Sequence, residues 1–435
     1  MNRKIGIRHE DKYAMERRVP LTPGHVKKLI DLHKLEVEVI SSPKRVYKDE
    51  EFLKVGAKIT EHTDAPVIFG VKEIPLDFFE ENKTYVFFSH VIKGQSYNMP
   101  MLKKMMDLKC NLIDYEKIED SLGRRLIFFG RYAGLAGMIN SLWSAGQRYK
   151  ELGIETPFQK LKQAHKYDSL QEASDAISEV GYDIIKNGLD PKISPFVIGF
   201  TGYGNVSNGA QEIAGLLPVK EITPEELLQL KDKKDLPNNV IYKVIFKEEH
   251  LSKPKDTEEE FDLQHYYTHP EDFEDQFGQY IPHLSILMNC MYWDERYPRI
   301  VTKDYLEALY KNGNPKLTVI GDVTCDPDGS IQCTHKGTEI EDPVFVYNPF
   351  TRKPESGFEG EGILVMAVDI LPSELPRESS QAFGDALFNY VKAIANADYN
   401  VPFNLLNLPD PIKKAVILHQ GQLTPDYEYI TEHLK

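Results

Sequence analysis

Short apolar runs alternate with charged, helix-forming stretches through the first 120 residues of this 435-residue chain. Runs of this kind are typical of buried strands. Strands separated by helices pair in parallel, because a crossover helix returns the chain to the same end of the sheet. The predicted fold class is therefore α/β with a mostly parallel sheet. The apolar runs are KIGIRH, EVEVISS, APVIFGVK, TYVFFSH and NLIDYE.

Polar residues follow four of these predicted strands, at the point where each strand ends. Arg18 lies in the loop after the first strand, and Lys72 and Glu73 follow the third. His90 ends the fourth strand and Glu116 ends the fifth. The carboxyl ends of parallel strands lie at one edge of the sheet, and ligands bind there in open α/β folds. The sequence therefore predicts a ligand site formed by these five side chains.

A second strand, turn and helix begins near residue 195. The run PFVIGF is a typical buried strand, and TGYGNVSNGAQEIAGLL leads from it directly into a helix. Two glycines occupy the first two glycine positions of the G-x-G-x-x-G motif, and a serine occupies the third. A pyrophosphate would bind at the helix N-terminus, where N–H groups are unpaired. The predicted dinucleotide-binding residues of this turn are Gly202, Gly204, Asn205, Val206 and Ser207.

The choice of coenzyme depends on the strand that neighbours the first strand of this second sheet. An acid at its tip would accept a hydrogen bond from the ribose 2′-OH of NAD, whereas a neutral residue near a cation would suit the 2′-phosphate of NADP. We take PVKEIT as that strand; it contains Lys220 and Glu221 and ends near Thr223. This pattern favours NADP(H), with NAD(H) possible, and makes Thr223 a coenzyme-binding candidate.

Two helical segments separate the strand systems. One is AGLAGMINSLWSAGQRYKELG, and the other is SSQAFGDALFNYVKAIAN, which follows LPSELPRE near the end of the chain. A chain that leaves a domain by one helix and returns by another makes that domain discontinuous. We predict two doubly wound Rossmann-like domains, a substrate domain of residues 1–130 with 376–435 and a dinucleotide-binding domain of residues 131–375. The catalytic cleft is expected between them.

Composition argues against several classes of partner. The net charge of −15 disfavours nucleic acid or an anionic membrane surface, which both attract basic faces. The sequence lacks an apolar signal segment and any apolar run of about 18 residues, so a cytoplasmic protein is expected. The four cysteines form no C-x-x-C pair. Pro270 argues against a helix presenting His265 and His269 together, and no metal site is predicted.

Several segments together carry a family resemblance. The segments are ERRVPLTP, GVKEIP, YVFFSHVIKGQ, LIDYEKIED, FGRYAGLAGMIN, FTGYGNVSNGAQEI, GDVTCDPDGSI and FEGEGILVMAVDILPSELPRESSQAFGD. They are similar to the lysine-ketoglutarate reductase part of bifunctional aminoadipic semialdehyde synthases, within the alanine dehydrogenase and transhydrogenase superfamily. The likeness covers essentially the whole chain, and it implies reversible, NADPH-linked condensation of L-lysine with 2-oxoglutarate to saccharopine.

The resemblance also implies roles for individual residues of the first domain. Lys72 and His90 match the acid–base pair of such enzymes. Arg18 matches an arginine that binds a substrate carboxylate, as the planar fork of a guanidinium allows. Glu73 and Glu116 match acidic neighbours that tune the lysine and the histidine.

The resemblance also implies roles for two aspartates of the second domain. In the segment DVTCDPDG, Asp326 matches an aspartate that faces the nicotinamide and the substrate, and Asp322 is a companion at the cofactor. The residues that hold the distal substrate carboxylates stay open, with Arg17, Arg125 and Arg131 as candidates.

Two other functions compete with the reductase. An amino-acid dehydrogenase would join ammonia to a small 2-oxo acid, but the long segment 247–300 is foreign to that smaller enzyme. A catalytically silent dinucleotide sensor would not need Lys72, His90 and Arg18 together. The expected partners are small molecules, and a homo-oligomer is possible.

Overall fold

The computed structural model of the chain describes residues 3–233, 235–313 and 315–434. The chain divides into two compact units: residues 1–129 with 376–435, which we call the split unit, and residues 130–375, which we call the central unit. In the described residues each unit holds an eight-stranded sheet and its own apolar core. Both sheets are mostly parallel and are accompanied by helices, so the predicted α/β, doubly wound class is confirmed.

The elements are numbered in chain order. The strands are β1 Lys4–Ile7, β2 Glu36–Ile40, β3 Lys58–Thr60, β4 Val67–Phe69, β5 Thr84–Phe87, β6 Asn111–Asp114, β7 Phe196–Thr201, β8 Val219–Glu221, β9 Ile241–Phe246, β10 Ser252–Pro254, β11 Phe273–Asp275, β12 Ile286–Asn289, β13 Val319–Asp322, β14 Val344–Asn348, β15 Lys353–Ser356, β16 Ile363–Met366, β17 Val416–His419 and β18 Gln422–Leu423. The α-helices are α1 Pro23–His33, α2 Asp49–Leu53, α3 Met99–Asp107, α4 Gly130–Glu151, α5 Leu170–Asn187, α6 Asn205–Ala214, α7 Pro224–Gln229, α8 Glu248–Leu251, α9 Leu263–Thr268, α10 Lys303–Lys311, α11 Pro376–Asn396 and α12 Asp410–Lys414.

The sheet of the split unit has the order β18-β17-β6-β5-β4-β1-β2-β3. Strands β1 to β6 pair in parallel and follow the 3-2-1-4-5-6 order of a Rossmann sheet. Strands β17 and β18 extend the β6 edge in antiparallel pairing. The five strands predicted from apolar runs are all present. Their carboxyl ends lie at one edge, as the parallel pairing requires.

The sheet of the central unit has the order β15-β14-β16-β13-β12-β7-β9-β8. Strand β7 therefore lies between β12 and β9, and the short strand β8 pairs with β9 at the edge. Our premise that PVKEIT neighbours the first strand is wrong. Strand β9 is mostly buried, whereas β8 is largely exposed, so the more apolar strand occupies the interior position.

The acidic, aromatic segment between β9 and β12 contains regular elements of its own. It forms the helices α8 and α9 and an antiparallel pair, β10 with β11. His265 lies inside α9, which ends just before His269. The Pro270 signal therefore marks the end of a short helix and does not exclude one.

Helices α4 and α6 of the central unit contact each other through backbone at two glycines. A Cβ atom built on Gly134 would lie 1.9 Å from the Val206 carbonyl oxygen, and one on Gly209 would lie 2.1 Å from the Arg131 carbonyl oxygen. Neither position has room for a side chain. This contact fixes the first turn of α6, the turn that follows the glycine-rich motif.

We expect Gly134→Ala to lower the free energy of unfolding by about 1–3 kcal/mol, because the added methyl must push α4 and α6 apart. Gly24→Ala in α1 is the control, since a Cβ there would meet only Thr22 Oγ1 at 3.7 Å. Thermal and urea unfolding of both variants test this expectation. Equal stability of Gly134→Ala and wild type would show that the helices can separate without cost.

Candidate active site

A buried carboxylate, Glu73, lies at the centre of the polar residues that follow the strands of the split unit. His90 Nδ1 lies 2.8 Å from Glu73 Oε1, and Lys12 Nζ lies 2.5 Å from the same oxygen. The Glu73 side chain is only 8% exposed. Burial by itself would raise the pKa of Glu73, but the hydrogen bond and charge of His90, the charge of Lys72 and the contact with Lys12 lower this pKa to about 2. Glu73 is therefore ionised at neutral pH.

The loop after β4 carries Lys72 and is held by a second buried carboxylate. Glu10 accepts hydrogen bonds from the backbone N–H groups of Val71 at 2.8 Å and of Lys72 at 2.9 Å. Burial raises the pKa of Glu10. The Lys72 ammonium lies 5.8 Å from the centre of the Tyr13 ring. The loop after β1 thus determines where the Lys72 backbone lies.

His90 adopts a left-handed backbone conformation, with φ of 50°. This conformation is uncommon for a residue with a side chain and costs about 1–2 kcal/mol. Neighbouring groups hold it on both sides. Asn98 Nδ2 donates to the His90 carbonyl oxygen at 3.1 Å, and the Ser89 N–H donates to Asp114 Oδ2 at 3.0 Å. The hydroxyl of Ser89 bonds to the same Asp114 oxygen.

Arg18 is buried and already paired within the split unit. Its Nε donates to Glu16 Oε1 at 2.8 Å and its Nη2 to Glu16 Oε2 at 2.6 Å. The guanidinium lies 4.2 Å from the centre of the Phe129 ring. The next residue, Val19, donates its N–H to Ser380 Oγ on α11 at 3.0 Å. Glu16 therefore fixes the orientation of the Arg18 guanidinium.

Aromatic rings connect Arg18 with His90. Phe88 stacks on the His90 ring at a centroid distance of 6.1 Å, and its centroid lies 6.2 Å from that of Phe129. Phe129 in turn lies beneath Arg18. The two predicted residues consequently belong to one cluster in which apolar rings separate the charged groups.

Glu116 lies at the β6 end of the same edge. Its N–H donates to Asp114 Oδ1 at 2.8 Å, so that Asp114 links the ends of β5 and β6. The Glu116 carboxylate pairs with Arg125 Nη2. Of the other candidate arginines, Arg17 is partly exposed in the loop after β1. Arg131 belongs to the central unit and pairs with Glu212 of α6 at 2.7 Å.

The glycine-rich turn of the central unit has the geometry that its sequence predicted. Gly202 has φ of +79°, and its N–H donates to the Phe246 carbonyl oxygen at 2.9 Å. Gly204 precedes the first turn of α6, and no atom lies within 4 Å of a Cβ built on it. Asn205, Val206 and Ser207 form that first turn. These residues fit a dinucleotide, because the backbone at Gly204 has open space beside it and α6 begins there with N–H groups that could bind a pyrophosphate.

Two other coenzyme candidates bond to protein groups. The Thr223 hydroxyl accepts from the Glu226 N–H at 3.2 Å and caps α7, beyond the edge strand β8. Asp322 is buried at the end of β13, where its oxygens accept from Thr334 Oγ1 at 2.6 Å and Thr324 Oγ1 at 2.7 Å. Burial raises the pKa of Asp322. Both side chains stabilise loops in this structure.

Asp326 lies at the surface, in the loop that Asp322 anchors. The backbone turns tightly there: Cys325 and Asp328 both have φ of 50°, and the Gly329 N–H donates to the Asp326 carbonyl oxygen at 3.0 Å.

Several site residues escaped the sequence analysis. The loop after β1 was represented by Arg18, although Glu10, Lys12 and Glu16 of the same loop take part in the cluster. Asn98 and Asp114 hold the His90 segment from α3 and β6. The rule that polar residues follow strand ends could have identified the β1 loop as a whole.

In the part of the chain that the structure describes, no helix is long and apolar enough to cross a membrane. The same residues include no group of three or more His, Cys, Asp or Glu side chains arranged to hold a metal ion.

Ionised Glu73 should make the protein more stable at neutral than at acid pH. A carboxyl group whose folded pKa is about 2, below its ordinary 4.5, contributes stability that is present above pH 4.5 and is lost as the pH falls toward 2. We expect the contribution to be up to about 3 kcal/mol.

Glu73→Gln tests this expectation. Compared with wild type, it should lower the unfolding free energy most at pH 7, and the difference should shrink between about pH 5 and pH 2. Urea unfolding across this range measures the difference, with Glu36→Gln at an exposed position as the control. A difference independent of pH would contradict the assigned charge of Glu73.

The chain matches two family models. The alanine dehydrogenase/PNT N-terminal domain matches residues 6–136, and the alanine dehydrogenase/PNT C-terminal domain matches residues 271–426. Among solved structures, an L-alanine dehydrogenase covers 99% of this chain with a TM-score of 0.63 and 17% identity, over all of its own length. A transhydrogenase from Sinorhizobium meliloti covers 97% with a TM-score of 0.51 and 14% identity, again over all of its length. These structures support the fold.

Curated relatives are closer in sequence. Alpha-aminoadipic semialdehyde synthase of Arabidopsis thaliana is 39% identical over 99% of this chain, and the mitochondrial enzyme of Mus musculus is 37% identical over 98%. The chain spans 41% and 47% of the lengths of these two proteins. Saccharopine dehydrogenase [NAD(+), L-lysine-forming] of Emericella nidulans is 30% identical over 88% of this chain and 90% of its own length. The chain therefore belongs to the L-lysine-forming saccharopine dehydrogenase family of oxidoreductases.

Proposed function

We propose that this protein catalyses the reversible reductive condensation of L-lysine with 2-oxoglutarate to saccharopine, using a nicotinamide dinucleotide. The observation that carries the proposal is the cluster of Lys72, Glu73, His90 and Lys12 at the carboxyl edge of the split unit's sheet. Family membership supports the same reaction, since the fungal relative is named for it.

The condensation requires proton transfers at the ε-amine nitrogen of lysine and at the ketone oxygen of 2-oxoglutarate. The lysine ε-amine must lose a proton, attack the ketone carbon and form a carbinolamine, whose hydroxyl leaves as water to give an imine. The dinucleotide supplies the hydride that reduces this imine. The protein therefore needs side chains beside the reacting carbon that can accept a proton and later donate it, and that are held in fixed positions.

In this proposal the two nitrogens of the His90 ring have different roles. Nδ1 faces the ionised Glu73, so it carries the proton that this hydrogen bond needs. Nε2 is then the atom that exchanges protons with the substrate. Glu73 fixes the tautomer and orientation of the ring, while Lys72 supplies the second proton-transfer group.

Arg18 is assigned to a substrate carboxylate in this proposal. Glu16 and the Phe129 ring hold its guanidinium in one orientation, which lowers the entropy lost when a carboxylate binds. Glu116 and Asp326 are kept as proposed substrate-binding residues, because both lie at the carboxyl ends of their sheets.

Coenzyme preference needs a new argument. The prediction of NADP(H) rested on Thr223 at the tip of a strand beside β7, and β8 does not lie beside β7. The fungal relative's name specifies NAD(+). The cytoplasmic location stays a prediction, since the mouse relative is named as mitochondrial. A homo-oligomer also stays a prediction.

We expect purified protein to oxidise reduced coenzyme when L-lysine and 2-oxoglutarate are both present, with saccharopine as the product. Absorbance at the reduced-nicotinamide band and mass spectrometry of the product measure this. Ammonia with pyruvate should give no turnover, because ammonia lacks the carbon chain of L-lysine. Turnover with ammonia alone would favour the amino-acid dehydrogenase, and coenzyme binding without any turnover would favour the sensor.

Lys72→Met should lower kcat for saccharopine formation by about 10²–10⁴-fold, the range expected when one proton-transfer group is lost. Coenzyme binding should stay unchanged, since Lys72 belongs to the split unit and the glycine-rich turn to the central unit. Lys54→Met, at an exposed position of the split unit, is the control. Wild-type turnover by Lys72→Met would remove Lys72 from the proposed mechanism.

A further inference from the structure

The loop that carries His90 depends on neighbouring groups for its position. Strand β5 ends at Phe87, and residues 88–95, which we call the His90 loop, lead from it to a 3₁₀ turn. Two residues of the loop have left-handed backbones, His90 with φ of 50° and Gly94 with φ of 64°. The loop's own backbone contributes a hydrogen bond from the Gly94 N–H to the Val91 carbonyl oxygen at 3.0 Å. An irregular segment of this kind needs partners from outside to hold one conformation.

A segment near the other end of the split unit is well anchored beside this loop. The segment Pro425–His433 forms 3₁₀ turns after β18. Tyr427 and Ile430 of this segment are buried. Tyr427 Oη donates to the carbonyl oxygen of Lys414, the last residue of α12, at 2.8 Å. The segment therefore has a fixed position relative to α12 and the adjacent strand β17.

Tyr429 of this segment bonds directly to the backbone of the His90 loop. Its Oη donates to the Ile92 carbonyl oxygen at 2.7 Å. Partial burial raises the pKa of Tyr429, so its hydroxyl keeps the proton that it donates. The Tyr427 ring lies beside the Tyr429 ring, with centroids 6.5 Å apart. Further along the segment, the His433 ring lies so close to Gly94 that a Cβ built there would be 2.3 Å from it.

The Tyr429 bond holds the part of the loop that the other contacts leave unbound. Asp114 accepts from the Ser89 N–H before His90, and Asn98 donates to the His90 carbonyl oxygen. The bond at Ile92 fixes the chain two residues after His90. A cavity of about 290 Å³ lies beside this contact, so the loop is not closely packed against the segment there. The hydrogen bond therefore joins the two where side-chain packing does not.

We propose that Tyr429 is a positioning residue, whose bond to the Ile92 carbonyl keeps the His90 loop in the conformation that places His90 beside Glu73. In this conformation His90 Nδ1 lies 2.8 Å from Glu73 Oε1. Tyr429 acts through the loop, and a small displacement of a proton-transfer group is enough to slow turnover strongly. The inference rests on the proposed role of His90 in saccharopine formation.

Tyr429→Phe tests the inference, because it removes the hydroxyl and keeps the ring. Loss of one hydrogen bond lowers the population of the held conformation by about 3–10-fold, so kcat for saccharopine formation should fall by about the same factor. KM for L-lysine and for 2-oxoglutarate should stay near the wild-type values, since Arg18 belongs to the separate loop after β1. Steady-state kinetics of the full chain measure both constants.

Amide hydrogen exchange provides a second readout that needs no turnover. Peptides covering residues 88–98 should exchange faster in Tyr429→Phe than in wild type, whereas peptides covering the glycine-rich turn should be unchanged. Tyr182→Phe is the matched control, because Tyr182 is 73% exposed on α5 of the central unit. It should match wild type in both measurements. Thermal unfolding verifies that both variants fold.

Unchanged exchange of residues 88–98 in Tyr429→Phe would overturn the inference. A raised KM with wild-type kcat would also overturn it, because Tyr429 would then affect substrate binding and not the position of His90. Failure of the proposed function gives a different pattern. Wild type would then form no saccharopine, while faster exchange in Tyr429→Phe would still show that Tyr429 holds the loop.

Discussion

A buried negative charge must be balanced by positive charge, and this requirement organises the split unit's site. Glu73 is ionised although it is almost fully buried. Its charge is balanced by Lys12 from the loop after β1, by the adjacent residue Lys72 and by His90 after β5. These groups come from three separate segments of the chain. Removal of one charged side chain would leave the charge of this cluster less well balanced. The positions of the side chains and their electrostatic interactions therefore depend on each other.

The same requirement applies to the backbone. Glu10 satisfies two N–H groups of the loop after β4, and Asp114 satisfies the N–H groups of Ser89 after β5 and of Glu116 after β6. Hydrogen bonds stabilise the left-handed conformation of His90: Asn98 donates to the His90 carbonyl oxygen, and the preceding residue Ser89 donates to Asp114. The backbone beside Lys72 and His90 is thus held in place by buried polar side chains.

The sequence predicted the parts of this structure that depend on local pattern. Apolar runs located β1, β2, β4, β5 and β6, and the strand-end rule then found Lys72, Glu73 and His90. Short edge strands such as β3 and β18 were not found, because two or three half-exposed residues carry no periodic signal. Which charges of the loop after β1 turn inward also escaped prediction. The prediction of which strand lies beside β7 was wrong for a related reason. Burial decides whether β8 or β9 takes that position, and the order of the strands along the chain does not reveal which one is buried.

The division of the split unit between both ends of the chain has a consequence for its synthesis. Residues 130–375 leave the ribosome as one continuous stretch and can fold before the chain is finished. The first 129 residues must wait, because Ser380 on α11 binds the backbone beside Arg18, and β17 covers the edge of β6. Until residues 376–435 emerge, β6 is an uncovered sheet edge and the Arg18 loop lacks its anchor. The nascent chain therefore forms its glycine-rich turn before the cluster of Lys72, Glu73 and His90 is complete, and during that interval β6 is an open strand edge.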